Sequence, residues 1–313
     1  MSSASVPDDF ILTQEYRRFA EFCEACRRDR YIGLCYGPPG VGKTLSARYD
    51  AKWFQLVTSP PYAFGSDTAF AAVTGTTSVF YTPAVVNTPG RLAQDIQLSR
   101  HHLQTLALEA LFREQAAAQK AKTQAERLRR SKRGKAAADH PRAPIPRGAS
   151  GATSDIARSY AQRREETADP TALIMIDETD RLKTASVEQV RDIFDGGGVG
   201  VVLMGMPGLE KRLSRYPQLY SRVGFVHAFR PLSTPEVRHL LQENWLPAGV
   251  TLPEHSLSET AVLAAIIRMT GGNFRLLHRL LTQIARLVDI NALSSVTTEV
   301  VEAARETLVI GVT

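Results

Sequence analysis

At 313 residues, with 43% hydrophobic and 22% charged residues, the chain has the composition of a folded soluble protein of two domains, or of one core with an appendage. No run approaches the roughly 18 consecutive apolar residues of a membrane span, the start Met1-Ser2-Ser3-Ala4-Ser5-Val6-Pro7 lacks a secretion signal, and three cysteines are too few for a disulfide framework, so a cytoplasmic protein with no membrane partner is expected. The net charge of +6 is local: between Arg113 and Arg147 eleven Lys/Arg oppose three acids, which leaves the rest of the chain at −2 and marks one segment suited to a polyanion.

The first predicted element is an amphipathic helix carrying Cys23-x-x-Cys26. With no second cysteine pair or nearby histidine, the pair reads as packing rather than zinc ligation. Tyr31-Ile-Gly-Leu-Cys-Tyr36 is an apolar strand leading into Gly37-Pro38-Pro39-Gly40-Val41-Gly42-Lys43-Thr44. A G-x-x-x-x-G-K-T loop between a strand and a helix-forming stretch is the context of a phosphate-binding loop. Glycines let backbone N–H groups curl around phosphate, Lys43 brings a point charge to the β/γ oxygens, and Thr44 offers its hydroxyl to Mg²⁺. ATP and Mg²⁺ are the expected cofactors, bound by residues 37–44 and Asp177.

Thr76–Tyr81 is a further strand, rich in β-branched and aromatic residues. From Pro89 to about Arg133 the sequence reads as one long helix, with Leu92, Ile96, Leu103, Leu106, Leu108 and Leu111 as its early apolar positions. Its later part is basic, with Lys120, Lys122, Arg127, Arg129, Arg130, Lys132 and Arg133, and the stretch from Gly134 to about Thr153 has a mobile composition. This arm is one candidate for binding duplex DNA; the body of the α/β domain, through Arg91 or Arg100, is the other. The absence of regular aromatic interleaving predicts phosphate contacts, largely independent of sequence.

Leu173-Ile-Met-Ile176 reads as a strand buried on both faces, and Asp177-Glu178 emerge at its carboxyl end, where open α/β sheets bind ligands. Asp177 would hold Mg²⁺ through water, and Glu178 would orient and deprotonate the attacking water. Two more buried runs, Gly200–Gly205 and Gly224–Phe229, complete a five-stranded, doubly wound parallel sheet. Beyond Pro231 only helices are predicted: Thr234–Trp245, Leu257–Met269, Phe274–Val288 and Thr297–Leu308. The expected domains are residues 1–231, with a basic insertion at 113–169, and a helical domain at 232–313.

A P-loop strand, an added strand before the Asp-Glu strand and a small helical lid resemble the AAA+ P-loop ATPases. Gly271-Gly272-Asn273-Phe274-Arg275 is similar to the sensor-2 signature of that superfamily, which implies that Arg275 reaches back to the γ-phosphate. An arginine ahead of the fifth strand projects into the neighbouring subunit's nucleotide in such proteins. Arg222 fits best, with Arg212 and Arg215 as competitors, and the role implies a homo-oligomeric ring or helical filament.

A closer resemblance is carried by Val202-Leu-Met-Gly-Met-Pro-Gly-Leu-Glu-Lys-Arg-Leu213, Tyr216-Pro-Gln-Leu-Tyr-Ser-Arg222, Phe229-Arg-Pro-Leu-Ser233, Tyr81-Thr-Pro-Ala-Val85 and Asp177-Glu-Thr-Asp-Arg-Leu182. These look like the TniB/TnsC group of transposition ATPases, with MuB and IstB more distant. The resemblance covers residues 10–112 and 170–313. It implies an ATP-dependent regulator of DNA transposition that assembles on target DNA and recruits or activates a DDE transposase, with a target-selection protein as a further partner. A replication-type initiator or helicase loader is the alternative; it would want a DNA-reading or partner-specific segment, and none is visible after Leu308. The sequence departs from the AAA+ pattern at sensor 1, where Gly205 or Met206 replaces a polar residue, and this predicts slow hydrolysis. The basic insertion is also far longer than an ordinary connection.

Overall fold

The structure, a computed structural model, describes residues 10–58, 73–133, 167–243, 245–247, 249–253, 257 and 259–308. The predicted arm beyond Arg133, up to residue 166, lies outside these, as do the side chains of Arg127, Arg129, Arg130, Lys132 and Arg133. Among the described residues no helix is long and apolar enough to cross a membrane.

The chain runs α1 (Gln14–Asp29), β1 (Ile32–Tyr36), α2 (Lys43–Asp50), α3 (Trp53–Thr58), β2 (Ser78–Tyr81), α4 (Pro89–Arg133), β3 (Leu173–Ile176), α5 (Thr184–Asp195), β4 (Gly200–Gly205), α6 (Leu209–Leu213), α7 (Pro217–Tyr220), β5 (Val223–Ala228), α8 (Thr234–Gln242), α9 (Thr260–Thr270), α10 (Phe274–Ile290) and α11 (Thr298–Glu306). The strands form one sheet in the order β2-β3-β4-β1-β5, and every pairing is parallel. This is the five-stranded parallel sheet that the pattern of apolar runs predicts. The register aligns Tyr36 with Gly205 and with Ala228, and Ile176 with Leu203, so the loops after β1, β3 and β4 leave one edge of the sheet together.

β1, β3 and β4 are buried along nearly their whole length, as all-apolar strands covered on both faces must be. β5 corrects the expectation of a fifth buried run. It is an edge strand whose residues alternate between half-buried and exposed, and Val226 is 48% exposed. Such alternation marks a strand with one face uncovered, whereas β2, the other edge strand, is buried throughout, so composition alone misjudges the burial of β5.

α1 starts at Thr13, whose hydroxyl accepts from the Tyr16 N–H, and stops at Arg30 in the left-handed region (φ 53°). Its inner face, Phe19, Phe22, Cys23 and Cys26, is buried in one core with Cys35, Met175, Val202 and Met204. Burial pushes the Cys26 thiol up to about 12 and those of Cys23 and Cys35 upward as well, so these sulfurs behave as apolar volume.

The C-terminal helices have an apolar cluster of their own. It includes Val237, Leu241, Val262, Ile266, Leu277, Leu281, Ile284 and Val301. Burying each large aliphatic side chain contributes roughly 1.5–3 kcal/mol relative to leaving it exposed. α8 opens with a reciprocal cap: Ser233 accepts from the Glu236 N–H while Glu236 accepts from the Ser233 N–H.

The chain divides into two compact units, one of Met1–Thr58, Ser78–Ile96 and Ala172–Thr313 and another of Ser59–Thr77 and Gln97–Thr171. In the second, Arg100 pairs with Asp169 at 2.7 Å and Gln104 donates to the Thr167 carbonyl at 2.6 Å. Leu103, Leu106 and Leu108 are buried along α4, but Leu111, expected inside, is 47% exposed. The helix outlasts its apolar stripe there, and only its backbone pattern continues to Arg133.

Candidate functional site

The site lies in the first unit. The loop after β1 needs two left-handed residues, Gly40 (φ 83°) and Gly42 (φ 109°), conformations in which a Cβ is strained. Gly42 caps α2 without any side-chain hydrogen bond, which leaves the first N–H groups of that helix for a ligand. The Lys43 ammonium is folded back onto the loop and donates to the carbonyls of Gly37 at 2.6 Å and Pro38 at 2.8 Å. Burial draws its pKa below the usual value; Arg275 adds to that push, and Asp177 and Asp180 oppose it.

The predicted Mg²⁺ pair is brought together. The Thr44 hydroxyl donates to Asp177 Oδ2 at 2.6 Å, and the other oxygen of this buried carboxylate accepts from the Glu178 N–H at 2.8 Å. Glu178 adopts φ 45° and ψ 42°, an unfavourable backbone for a residue with a Cβ. Its carboxylate is half-exposed and forms an ion pair with Arg181, which also donates to the Pro83 carbonyl at 3.0 Å.

The other wall of the site comes from the C-terminal helices. Arg275 lies in the first turn of α10, and its backbone N–H donates to the Gly40 carbonyl at 3.0 Å. Asn273 acts in two directions. Its side-chain oxygen caps α10 by accepting from the N–H groups of Arg275 and Leu276, and its amide group donates to the Pro39 carbonyl at 2.8 Å. A Cβ at Gly40 would stand 2.6 Å from that Asn273 oxygen, so the glycine also permits the close approach of the lid. Between these walls lies a cleft of about 780 Å³ lined by the loop, Glu178, Asp180, Met206 and the first turns of α10.

The cleft contains residues that the sequence did not point to: Phe10, Ile11, Thr13, Trp245, Phe274, His278 and Arg279. Phe10, Ile11 and Thr13 reach the cleft from the segment ahead of α1, whereas Tyr16, Arg17 and Arg18 on α1 are not part of its lining. Tyr16 packs edge-on to Phe10 and Tyr49, and burial first, with Asp50 and others, raises its hydroxyl to about 12. The helical spacing of Phe274 and His278 placed them on one face of α10, yet nothing local showed that this face turns to the loop.

Of the three arginines considered for action on a neighbour, two are held within the chain. Arg222 pairs with Asp195 at 2.5 and 2.7 Å and also donates to the Gln218 carbonyl. Arg212 donates to the carbonyls of Leu182 and Thr179 and faces Asp180 at 3.4 Å. Arg215 is exposed. Among the DNA-binding candidates, Lys120 and Lys122 are exposed on α4, and Arg91, 65% exposed, pairs with Asp95. Arg100 is occupied: although burial works against it, hydrogen bonds from Thr171 and the Arg100 guanidinium hold the Asp169 carboxyl below its usual value.

The two functions of Asn273 can be separated. Asn273→Asp keeps an acceptor for the α10 cap but has no proton for the Pro39 carbonyl. ATP affinity, read with a fluorescent analogue, should fall roughly 5–30-fold, the worth of one or two kcal/mol. The thermal midpoint should stay within the roughly 2–4 °C that about 1 kcal/mol moves. A fall in the midpoint with unchanged affinity would reduce Asn273 to a helix cap.

Comparison with known proteins gives the following. The family model for the AAA domain matches residues 26–213. A potential ATP-binding protein of Staphylococcus aureus is 39% identical over 311 residues, covering 97% of this chain and 98% of the relative. The Holliday junction branch migration motor RuvB of Thermotoga maritima has a similar fold, with a TM-score of 0.50 at 16% identity over 97% of this chain and 74% of that one. The Aeropyrum pernix Orc1 protein in complex with DNA gives a TM-score of 0.51 at 16% identity over 96% of this chain and 66% of that one.

Proposed function

Since the chain belongs to the AAA domain family, we propose that it binds and hydrolyses ATP in this cleft and acts as an oligomeric, DNA-binding regulator of DNA transposition. The observation that carries the chemistry is the 2.6 Å contact between Thr44 and Asp177, with Glu178 next in sequence and Arg275 latched to the loop. A hydroxyl and a buried carboxylate are the hard oxygen donors that Mg²⁺ takes from a protein when phosphates and waters complete its shell. The ion, when bound, neutralises charge between the β- and γ-phosphates. Lys43 exchanges the carbonyls of Gly37 and Pro38 for phosphate oxygens, which repay its desolvation better because they carry charge. Glu178 leaves Arg181 to take a proton from the attacking water, and Arg275 and the free N–H groups of α2 stabilise the charge on the transferring phosphoryl group. The name of the Staphylococcus aureus relative agrees with the ATP reading.

The transposition role rests on the resemblance to the TniB/TnsC group, and the DNA role also on the local charge of residues 113–147. The protein assembles on target duplex DNA in its ATP-bound form and recruits or activates a DDE transposase. Strand transfer by that transposase into plasmid DNA should require the ATP-loaded protein; equal insertion without it would reject the role.

DNA binding should be ATP-dependent and salt-sensitive, with log K falling against log salt at about −0.9 per phosphate neutralised. If the arm supplies about four contacts per subunit, removing residues 120–147 should flatten the slope by roughly 3–4. ATP-driven assembly should survive the deletion. An unchanged slope would assign DNA to the body of the domain, where Arg91 has the greater freedom because Arg100 is tied to Asp169.

A further inference from the structure

Gly205 ends β4 at the cleft and brings no side chain to it, and the Met206 side chain, 41% exposed, has no strong hydrogen-bonding group. The space in front of Gly205 is nevertheless occupied, by the Asp180 carboxylate and by the Leu209 side chain. A Cβ built on Gly205 would lie 2.6 Å from Asp180 Oδ2 and 3.3 Å from Asp180 Cγ. The same Oδ2 accepts from the Met206 N–H at 2.8 Å, which ties the turn after β3 to the end of β4. Arg212 approaches the other oxygen at 3.4 Å. The carboxylate therefore has a fixed position, at the strand end that the register aligns with Tyr36, the residue before the phosphate loop. Asp180 shares the cleft lining with Lys43 and Glu178.

On the reading that this cleft hydrolyses ATP, we propose that Asp180 is a positioning residue for the attacking water, occupying the volume that Gly205 leaves empty. A carboxylate accepts hydrogen bonds and donates none. It can therefore take one O–H of the water but makes no bond to a phosphate oxygen, so its contribution falls on the chemical step rather than on ATP binding. In that step the water oxygen bonds to the γ-phosphorus as the bond to the β–γ bridging oxygen breaks. The second proton passes to Glu178, and ADP and inorganic phosphate leave. A residue that fixes the line of attack can affect rate by about 10²-fold through geometry alone.

The test is a double-mutant cycle read as kcat and as ATP affinity at saturating Mg²⁺. Asp180→Ala should lower kcat roughly 10–100-fold while leaving ATP affinity within about threefold. Gly205→Ala retains Asp180 but places a methyl group where its carboxylate lies, so it should give a similar loss; it also serves if Asp180→Ala folds poorly. The double variant Gly205→Ala/Asp180→Ala should be no slower than the worse single variant, because both remove one arrangement. Wild-type kcat in Asp180→Ala, additive losses in the double variant, or a loss confined to ATP affinity would each overturn the proposal. Glu178→Gln is measured alongside: wild-type hydrolysis in that variant would instead bring down Glu178 as the base, the reading on which the proposal rests.

Discussion

Glu178→Gln should bind ATP as the wild type does and hydrolyse it about 10²–10⁴-fold more slowly, the range of a lost general base. The amide nearly preserves the shape of the side chain. It loses the ion pair with Arg181, which is half-exposed and of little worth to the fold. Asp177, Thr44 and the loop are untouched, so the variant should accumulate as an ATP-bound, DNA-bound assembly that outlives the wild type. Lys43→Ala should do the opposite and fail to bind nucleotide. It removes the buried cation of the loop, and at about 1.5–3 kcal/mol for each hydrogen bond to a charged group, two phosphate contacts amount to roughly 10²-fold or more in affinity. Equilibrium binding and single-turnover hydrolysis on the two proteins distinguish the roles. If Glu178→Gln turned over ATP at the wild-type rate, Glu178 would not be the base, whatever its position beside Asp177.

Arg222→Ala should leave ATP binding by the single chain nearly unchanged and remove the hydrolysis that depends on neighbours. An arginine supplied in trans is worth roughly 10³–10⁵ in rate in related GTPase systems. In the isolated chain Arg222 is committed to Asp195, and its hydrogen bonds hold the Asp195 carboxyl below its usual value. Both groups are partly exposed, so the pair is cheap to open when a neighbour's phosphates come within reach. Mixing Arg222→Ala with Glu178→Gln subunits tests this directly. At an interface that joins an intact Glu178 to a neighbour's intact Arg222, activity should return, although neither protein hydrolyses ATP alone. No recovery at any ratio would move the role to Arg215, which is exposed, or to Arg212, or would deny the shared site. Arg212 starts at a disadvantage, since opening it would cost the carbonyls of Leu182 and Thr179 a donor each.

The legible parts of this protein are those encoded within a few residues. A glycine-rich loop between an apolar strand and a helix can only be read one way, because left-handed glycines and a lysine at that spacing serve a phosphate. Leu173–Ile176 and Gly200–Gly205 are apolar without interruption because both of their faces are covered in the fold. For the same reason Asp177 and Glu178 were identifiable: charges at the end of such a run must leave the sheet at its ligand-binding edge. β5 escaped this logic, since its composition resembles that of the inner strands while one of its faces is uncovered, which leaves every second residue open.

What the sequence by itself determined is thus the sheet, the loop and the acidic pair, each marked by a pattern within a few consecutive residues. Only the tertiary structure decided the other half of the site. Asn273 meets Pro39 across 234 positions, and the Asp180 carboxylate fills the space before Gly205 by way of an N–H 26 positions away. Phe10, ahead of α1, and Trp245, beyond α8, both line the cleft. None of these residues has an unusual local pattern: an asparagine before a helix is an ordinary cap, and an aspartate in a turn is an ordinary turn residue. Their second roles exist because lid and loop approach until a missing Cβ, at Gly40 and at Gly205, becomes room for a partner's polar group. A glycine in the sequence shows that space is available, but what fills it is set by how the rest of the chain packs around that point.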